Sequence, residues 1–132
     1  MTAFRWGDPE SAIQLPPAIR ALLGSALGVT GGRPATPVIL PPPAELPAEL
    51  AADTSDEARL AHAAGMSTED LLRARRGEAP DAPDGVLRPA SHDEVLALLR
   101  IAAAHRVAVV PFGGGTSVVG GLRARRDGFR GV

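Results

Sequence analysis

The 132-residue chain contains no cysteine. Disulfides, thiolate metal sites and a cysteine nucleophile are therefore excluded. Its 14 basic residues are all arginine and none is lysine. The missing lysine excludes Schiff-base chemistry and the lysine that P-loop phosphate sites require. No apolar run approaches ~18 residues, the length expected of a membrane-spanning helix. The N-terminus lacks the basic-then-apolar pattern of a signal peptide, so a cytoplasmic location is expected. A formal net charge of -1 offers no electrostatic footprint for nucleic acid or an anionic membrane. The length suits one domain with one core.

Proline and glycine are abundant instead, and they divide the chain. Residues 1–52 form an irregular, proline-rich N-terminal segment, with Pro16-Pro17, Pro34, Pro37, Pro41-Pro42-Pro43 and Pro47. Proline at this density fixes φ and removes N–H donors, which disfavours long helices and central strands. A short helix over Pro17 to Leu27 is compatible with Ile19, Leu22 and Leu23 sharing a face. An extended segment lying on another domain is the preferred reading.

Residues 53–80 read as helical. Thr54-Ser55-Asp56-Glu57 has the spacing of a capping box, ahead of an alanine-rich helix that stops at Gly65. Ser67-Thr68-Glu69-Asp70 opens a second helix, stopped at Gly77. Acids lie in its first turn and Arg73, Arg75 and Arg76 in its last, which suits the helix dipole.

Residues 81–132 read as the beginning of a β-α-β unit. Val86 to Pro89 is short and extended. A helix follows from Ser91-His92-Asp93-Glu94, with Val95, Leu98, Leu99 and Ala102 as its apolar stripe. Val107 to Val110 is uninterrupted apolar sequence, as expected of a strand buried on both faces. Phe129 to Val132 begins another strand. The three histidines, His62, His92 and His105, read as surface or capping residues. Arg73, Arg75 and Arg76 read as a solvated helix end. Arg123, Arg125, Arg126 and Arg130 read as a polar excursion before the next strand.

The predicted strand runs into Pro111-Phe112-Gly113-Gly114-Gly115-Thr116-Ser117, at a position where open α/β sheets bind ligands. Consecutive glycines cost entropy and pack nothing, so they suit a backbone that something else must approach. Successive N–H groups in such a loop make a nest for anionic oxygens, and Thr116 and Ser117 add hydroxyl donors. Phosphate or pyrophosphate is the natural guest, and a plain tight turn is the alternative. The Rossmann spacing fails, because Val118 stands where its third glycine belongs. The Walker spacing fails as well, with Gly121 and Leu122 in place of Lys and Ser/Thr.

Val109-Val110-Pro111-Phe112-Gly113-Gly114-Gly115-Thr116-Ser117 with Gly120-Gly121 closely resembles the pyrophosphate loop of the vanillyl-alcohol-oxidase, or PCMH-type, FAD-binding domain. The resemblance implies an α+β fold: an N-terminal helical and proline-rich segment followed by the first β-α-β part of that domain. It implies FAD as cofactor, with Pro111, Phe112, Gly113, Gly114, Gly115, Thr116, Ser117, Val118, Gly120 and Gly121 on its diphosphate. Relatives with covalent flavin carry a histidine where Thr116 stands here, so the resemblance implies non-covalent FAD.

Further residues resemble the opening of the alkylglycerone-phosphate synthase branch. They are Trp6-Gly7, Arg59-x-x-His62-x-x-Gly65-x-Ser67, Asp70-Leu71, Arg75-Arg76-Gly77, Pro83-Asp84, Pro89 and Asp93-Glu94-Val95. That branch exchanges an acyl chain for a fatty alcohol on a flavin electrophile without net redox. Glycolate or D-lactate-type 2-hydroxyacid dehydrogenases are the alternative branch. A non-catalytic anion-binding module or a non-functional remnant is the alternative outside the family.

Family members are several hundred residues long, so the chain is expected to be the N-terminal part of such an enzyme. A small-molecule substrate, catalytic residues beyond Val132 and a homodimer are expected of the full-length protein. No metal site is expected.

Overall fold

The computed structural model describes residues 15–28, 36–79 and 81–132. Trp6-Gly7, Pro34 and Pro80 lie outside them.

Four α-helices form: α1 (Pro17–Leu27), α2 (Asp56–Ala61), α3 (Thr68–Arg75) and α4 (His92–His105). A 3-10 turn spans Ala48–Leu50. None of the described helices is long and apolar enough to cross a membrane.

The extended reading of Pro17 to Leu27 is overturned by helix α1. Proline at the first helical position costs no hydrogen bond, and its φ is already helical. Gly28, at φ +64, closes the helix by donating to Gly24 and Leu23 carbonyls. No residue of α1 is buried.

Serines cap the other three helices. Ser67 accepts from the Asp70 amide and donates to its carboxylate, so the first turn of α3 is closed reciprocally. Ser91 accepts from Glu94 N, while the Glu94 carboxylate reaches back to the Ala90 amide. At α2 the cap is Ser55 rather than Thr54, and it accepts from Ala58 N. Asp53 sets this register by accepting from both Ser55 N and Ser55 Oγ.

The fold is mostly helical, and among the described residues strand pairing is confined to single bridges. Val86 pairs antiparallel with Asp53 and Val107 pairs parallel with Gly131. Ala108 N donates to Gly131 O at 2.8 Å and Arg130 N to Arg106 O at 2.9 Å. The segment beginning at Phe129 therefore does run beside Val107. Among the described residues Val86 bridges to Asp53 and Val107 to Gly131, and no bridge joins Val86 to Val107. Val107 is buried, but Val109 is 47% exposed, so this strand is not covered on both faces.

The core gathers Leu50, Ala102 and Val107, with Leu46, Leu87, Leu98 and Ile101 around them. On α4 the buried face is thus Leu98, Ile101 and Ala102. Val95 and Leu99, placed in the stripe by periodicity, lie on its shoulder and stay exposed.

The proline-rich stretch from Thr36 to Pro47 lies on the chain's own helical part. Thr36 N donates to Arg75 O, Pro41 O accepts from Arg59, and Ala44 N donates to Asp84. Leu46 covers Gly85 and Gly131, where an added Cβ would lie 2.8 and 2.7 Å from its methyl groups.

Two buried charged residues join these pieces. Arg59, 1% exposed, donates to Pro83 O at 2.8 Å, Pro41 O at 2.7 Å and Asp56 at 3.1 Å. Asp84, also 1% exposed, accepts from the Ala44 and Val132 amides and from both Nε and Nη2 of Arg126. Arg126 is thereby an anchor rather than part of a solvated excursion. Arg123 is similarly fixed, by Glu69 at 2.7 Å and Asp70 at 3.6 Å. In the last turn of α3, Arg73 pairs with Glu69, whereas Arg75 and Arg76 are exposed.

Candidate functional site

The loop leaves the Val107 bridge and turns at Gly115, whose φ is +68. Phe112 folds back beneath this turn. Its Cζ would lie 2.9 Å from a Cβ on Gly115, so both backbone and space require glycine there. Gly113 and Gly114 differ. Neither has positive φ, and an added Cβ would meet nothing within 4 Å at Gly113 and only Thr116 Cγ2, at 3.8 Å, at Gly114.

Both of these glycines and Thr116 are exposed, whereas Gly115 is buried. No amide N–H between Val109 and Leu122 donates to a described residue. The loop therefore presents a run of uncommitted donors, with open backbone at Gly113 and Gly114. Such a surface can take an anionic oxygen without displacing any protein contact.

Beyond Ser117 the chain continues through Val118 to Gly121. With Ser67, Glu69, Arg123 and Arg125 they line an open cleft. Gly120 is at φ +71, while Gly121 has neither positive φ nor a neighbour nearer than 3.9 Å to an added Cβ. Of the predicted site residues, Val118, Gly120 and Gly121 line this cleft, whereas Pro111 to Ser117 lie in the preceding loop.

Two contacts of this loop are illegible in the sequence. The His62 ring packs against Phe112 with centroids 4.6 Å apart and planes tilted by 56°. Its Nδ1 is 2.7 Å from Ala58 O, and its backbone N–H, donating to Arg59 O and Leu60 O, caps α2. At the other end of the loop, Met66 N donates to Ser117 O at 2.6 Å. A Cβ on neighbouring Gly65 would lie 2.3 Å from that same oxygen. His92 and His105 are exposed at the two ends of α4.

Comparison with known proteins bears on the segment that contains this loop. Residues 83–129 match the family described as FAD binding domain. The alkyldihydroxyacetonephosphate synthase of Trypanosoma brucei brucei is 48% identical over 65 residues, 49% of this chain and 11% of that protein. The synthase of Dictyostelium discoideum is 42% identical over 65 residues, again 49% of this chain and 11% of its own length. A solved alkyldihydroxyacetonephosphate synthase superposes with a TM-score of 0.71 at 30% identity, covering 81% of this chain and 23% of that structure. The matched stretch is thus about a tenth of the curated synthases' length. The chain carries an FAD-binding segment of the PCMH type, close to that of alkylglycerone-phosphate synthase, and FAD is its cofactor.

Proposed function

We propose that the chain holds the diphosphate of non-covalent FAD on the backbone of Pro111 to Ser117, extended by Val118, Gly120 and Gly121. One observation carries the reading. Gly113 and Gly114 are glycine although the fold requires it at neither position, and the amides around them are uncommitted. A bound diphosphate explains both facts, since it needs close approach to the backbone and many N–H donors. FAD supplies the electron-accepting or electrophilic ring when bound. The protein's part here is to bind and orient it. Thr116 stands where a histidine anchors the flavin in covalent relatives, and the imidazole nearest the loop, His62, is engaged by Ala58 O.

The wider activity follows from the relatives' name. We read the chain as the FAD-binding portion of an enzyme that makes an alkyldihydroxyacetonephosphate-type product, with the catalytic groups contributed outside the described residues. On this reading residues 1–52 are a proline-rich segment, 53–80 a helical one, and 81–132 the start of the FAD-binding domain.

The test is flavin binding by the chain and its Gly114→Asp variant. Nothing in the fold obstructs a side chain at this position, so the variant retains its helical circular dichroism. Its carboxylate repels the diphosphate and its Cβ occupies the approach, so flavin content falls to background. Unchanged flavin content in Gly114→Asp refutes the assignment.

A further inference from the structure

The turn between α2 and α3 lies outside the residues that match the FAD binding domain family, yet it touches the glycine loop at both ends. His62 packs on Phe112, and the Phe112 ring occupies the space beneath Gly115. Met66 N holds Ser117 O, with Gly65 pressed against the same oxygen. We propose that His62 and Gly65 are positioning residues of the FAD site, fixing the shape in which the Gly113 to Ser117 amides are presented.

This role rests on the loop's being a diphosphate cradle. Glycine has the largest conformational freedom of any residue. This loop also lacks amide hydrogen bonds of its own to described residues. Its order must therefore come from its flanks. One flank is the Phe112 side chain and the other is the Ser117 carbonyl, and the α2–α3 turn holds both.

That turn is itself immobilised. Nδ1 of His62 carries its proton toward Ala58 O in the neutral ring, and the next residue, Arg59, is buried against Pro41 O and Pro83 O. A loop held in its binding shape loses less entropy on association.

The test uses the full 132-residue chain, isotope-labelled, with FAD as the probe. Two quantities are read: the NMR shifts of the Gly113 to Ser117 amides with the Gly115 Hα, and FAD affinity from flavin fluorescence. In His62→Ala the ring-current shift of Gly115 Hα is lost and the loop amides move toward random-coil values. FAD affinity falls roughly three- to tenfold, the scale of one newly mobile side chain.

His62→Phe keeps a ring against Phe112 and restores both readouts, which a general loss of stability would not produce. Gly65→Ala displaces Ser117 and weakens FAD to a similar degree. Wild-type loop shifts in His62→Ala, or a His62→Phe variant no better than His62→Ala, overturns the proposal. Gly114→Asp is run beside them. If it keeps wild-type affinity, the diphosphate reading fails, while the loop shifts of the FAD-free chain still decide the positioning claim.

Discussion

Replacing Asp84 with alanine tests how the chain is tied together. Its carboxylate is 1% exposed and accepts from Ala44 N at 2.8 Å, Val132 N at 3.0 Å, Arg126 Nε at 3.1 Å and Arg126 Nη2. Alanine leaves the Val132 amide buried without a partner and the Ala44 amide partly so. An orphaned buried donor costs about 1–3 kcal/mol, whereas the half-exposed Arg126 regains water and adds little. The expected loss is about 2–4 kcal/mol, a large fraction of the ~5–15 kcal/mol by which domains are stable. Arg126→Ala leaves both amides satisfied but removes two of the four donors to a buried carboxylate, and is expected to cost about 1–3 kcal/mol. Urea unfolding followed by circular dichroism measures both variants. A Asp84→Ala cost below ~0.5 kcal/mol, the range of ordinary surface substitutions, refutes the network.

The same group has a pH signature. Burial alone would raise its pKa, but the hydrogen bonds from Arg126 and from the Ala44 and Val132 amides outweigh it and hold the carboxyl below its ordinary range. A depressed folded value means the stabilisation is present above the unfolded pKa, near ~3.9, and is lost as pH falls through the folded one. Stability of the wild type therefore declines more steeply below pH ~4 than that of Asp84→Asn. Equal acid slopes contradict the assignment.

Arg59→Ala is expected to cost about 2–4 kcal/mol, because two carbonyls lose a buried charged donor. Arg59→Lys should not restore it, since one ammonium cannot reproduce the fork that reaches Pro41, Pro83 and Asp56. Faster limited proteolysis within residues 36–47 reports this loss. Gly115→Ala forces a left-handed φ on a side chain that also meets Phe112, and should lower stability by about 1–3 kcal/mol in thermal melts.

Local chemistry was legible where it is decided locally. Ser67 and Ser91 cap α3 and α4 as their spacing requires, and the glycine loop stands out from any neighbouring sequence. The α2 cap was misplaced by one residue because Asp53 chooses Ser55, and Asp53 is itself held by Val86, far along the chain. The proline-rich stretch had no readable pattern for a related reason. Besides the Arg75 carbonyl, its partners are the side chains of Arg59 and Asp84, at separations of 18 and 40 residues, and periodicity carries no trace of them. His62 likewise gives no local sign of Phe112. The bridging positions Val86 and Val107 read as extended, but their partners, Asp53 and Gly131, are distant in sequence and leave no local sign.

Composition makes all the glycines look alike, and the structure separates them. Gly65 and Gly131 are glycine because another part of the chain sits 2.3 and 2.7 Å from where a Cβ would be. Gly115 is glycine because of its φ and Phe112. Gly113, Gly114 and Gly121 have neither reason, and all three lie on the candidate FAD surface. At such positions alanine is expected to stabilise the FAD-free chain by about 0.4–1 kcal/mol each, through lost freedom of the unfolded chain. The same substitutions place a methyl group where the diphosphate approaches, so FAD binding weakens as stability rises. Melting temperature and flavin affinity should therefore move in opposite directions across this set, whereas Gly65→Ala and Gly115→Ala lower both. If alanine at Gly113, Gly114 and Gly121 raises stability and leaves flavin affinity untouched, the glycines are not there for the cofactor.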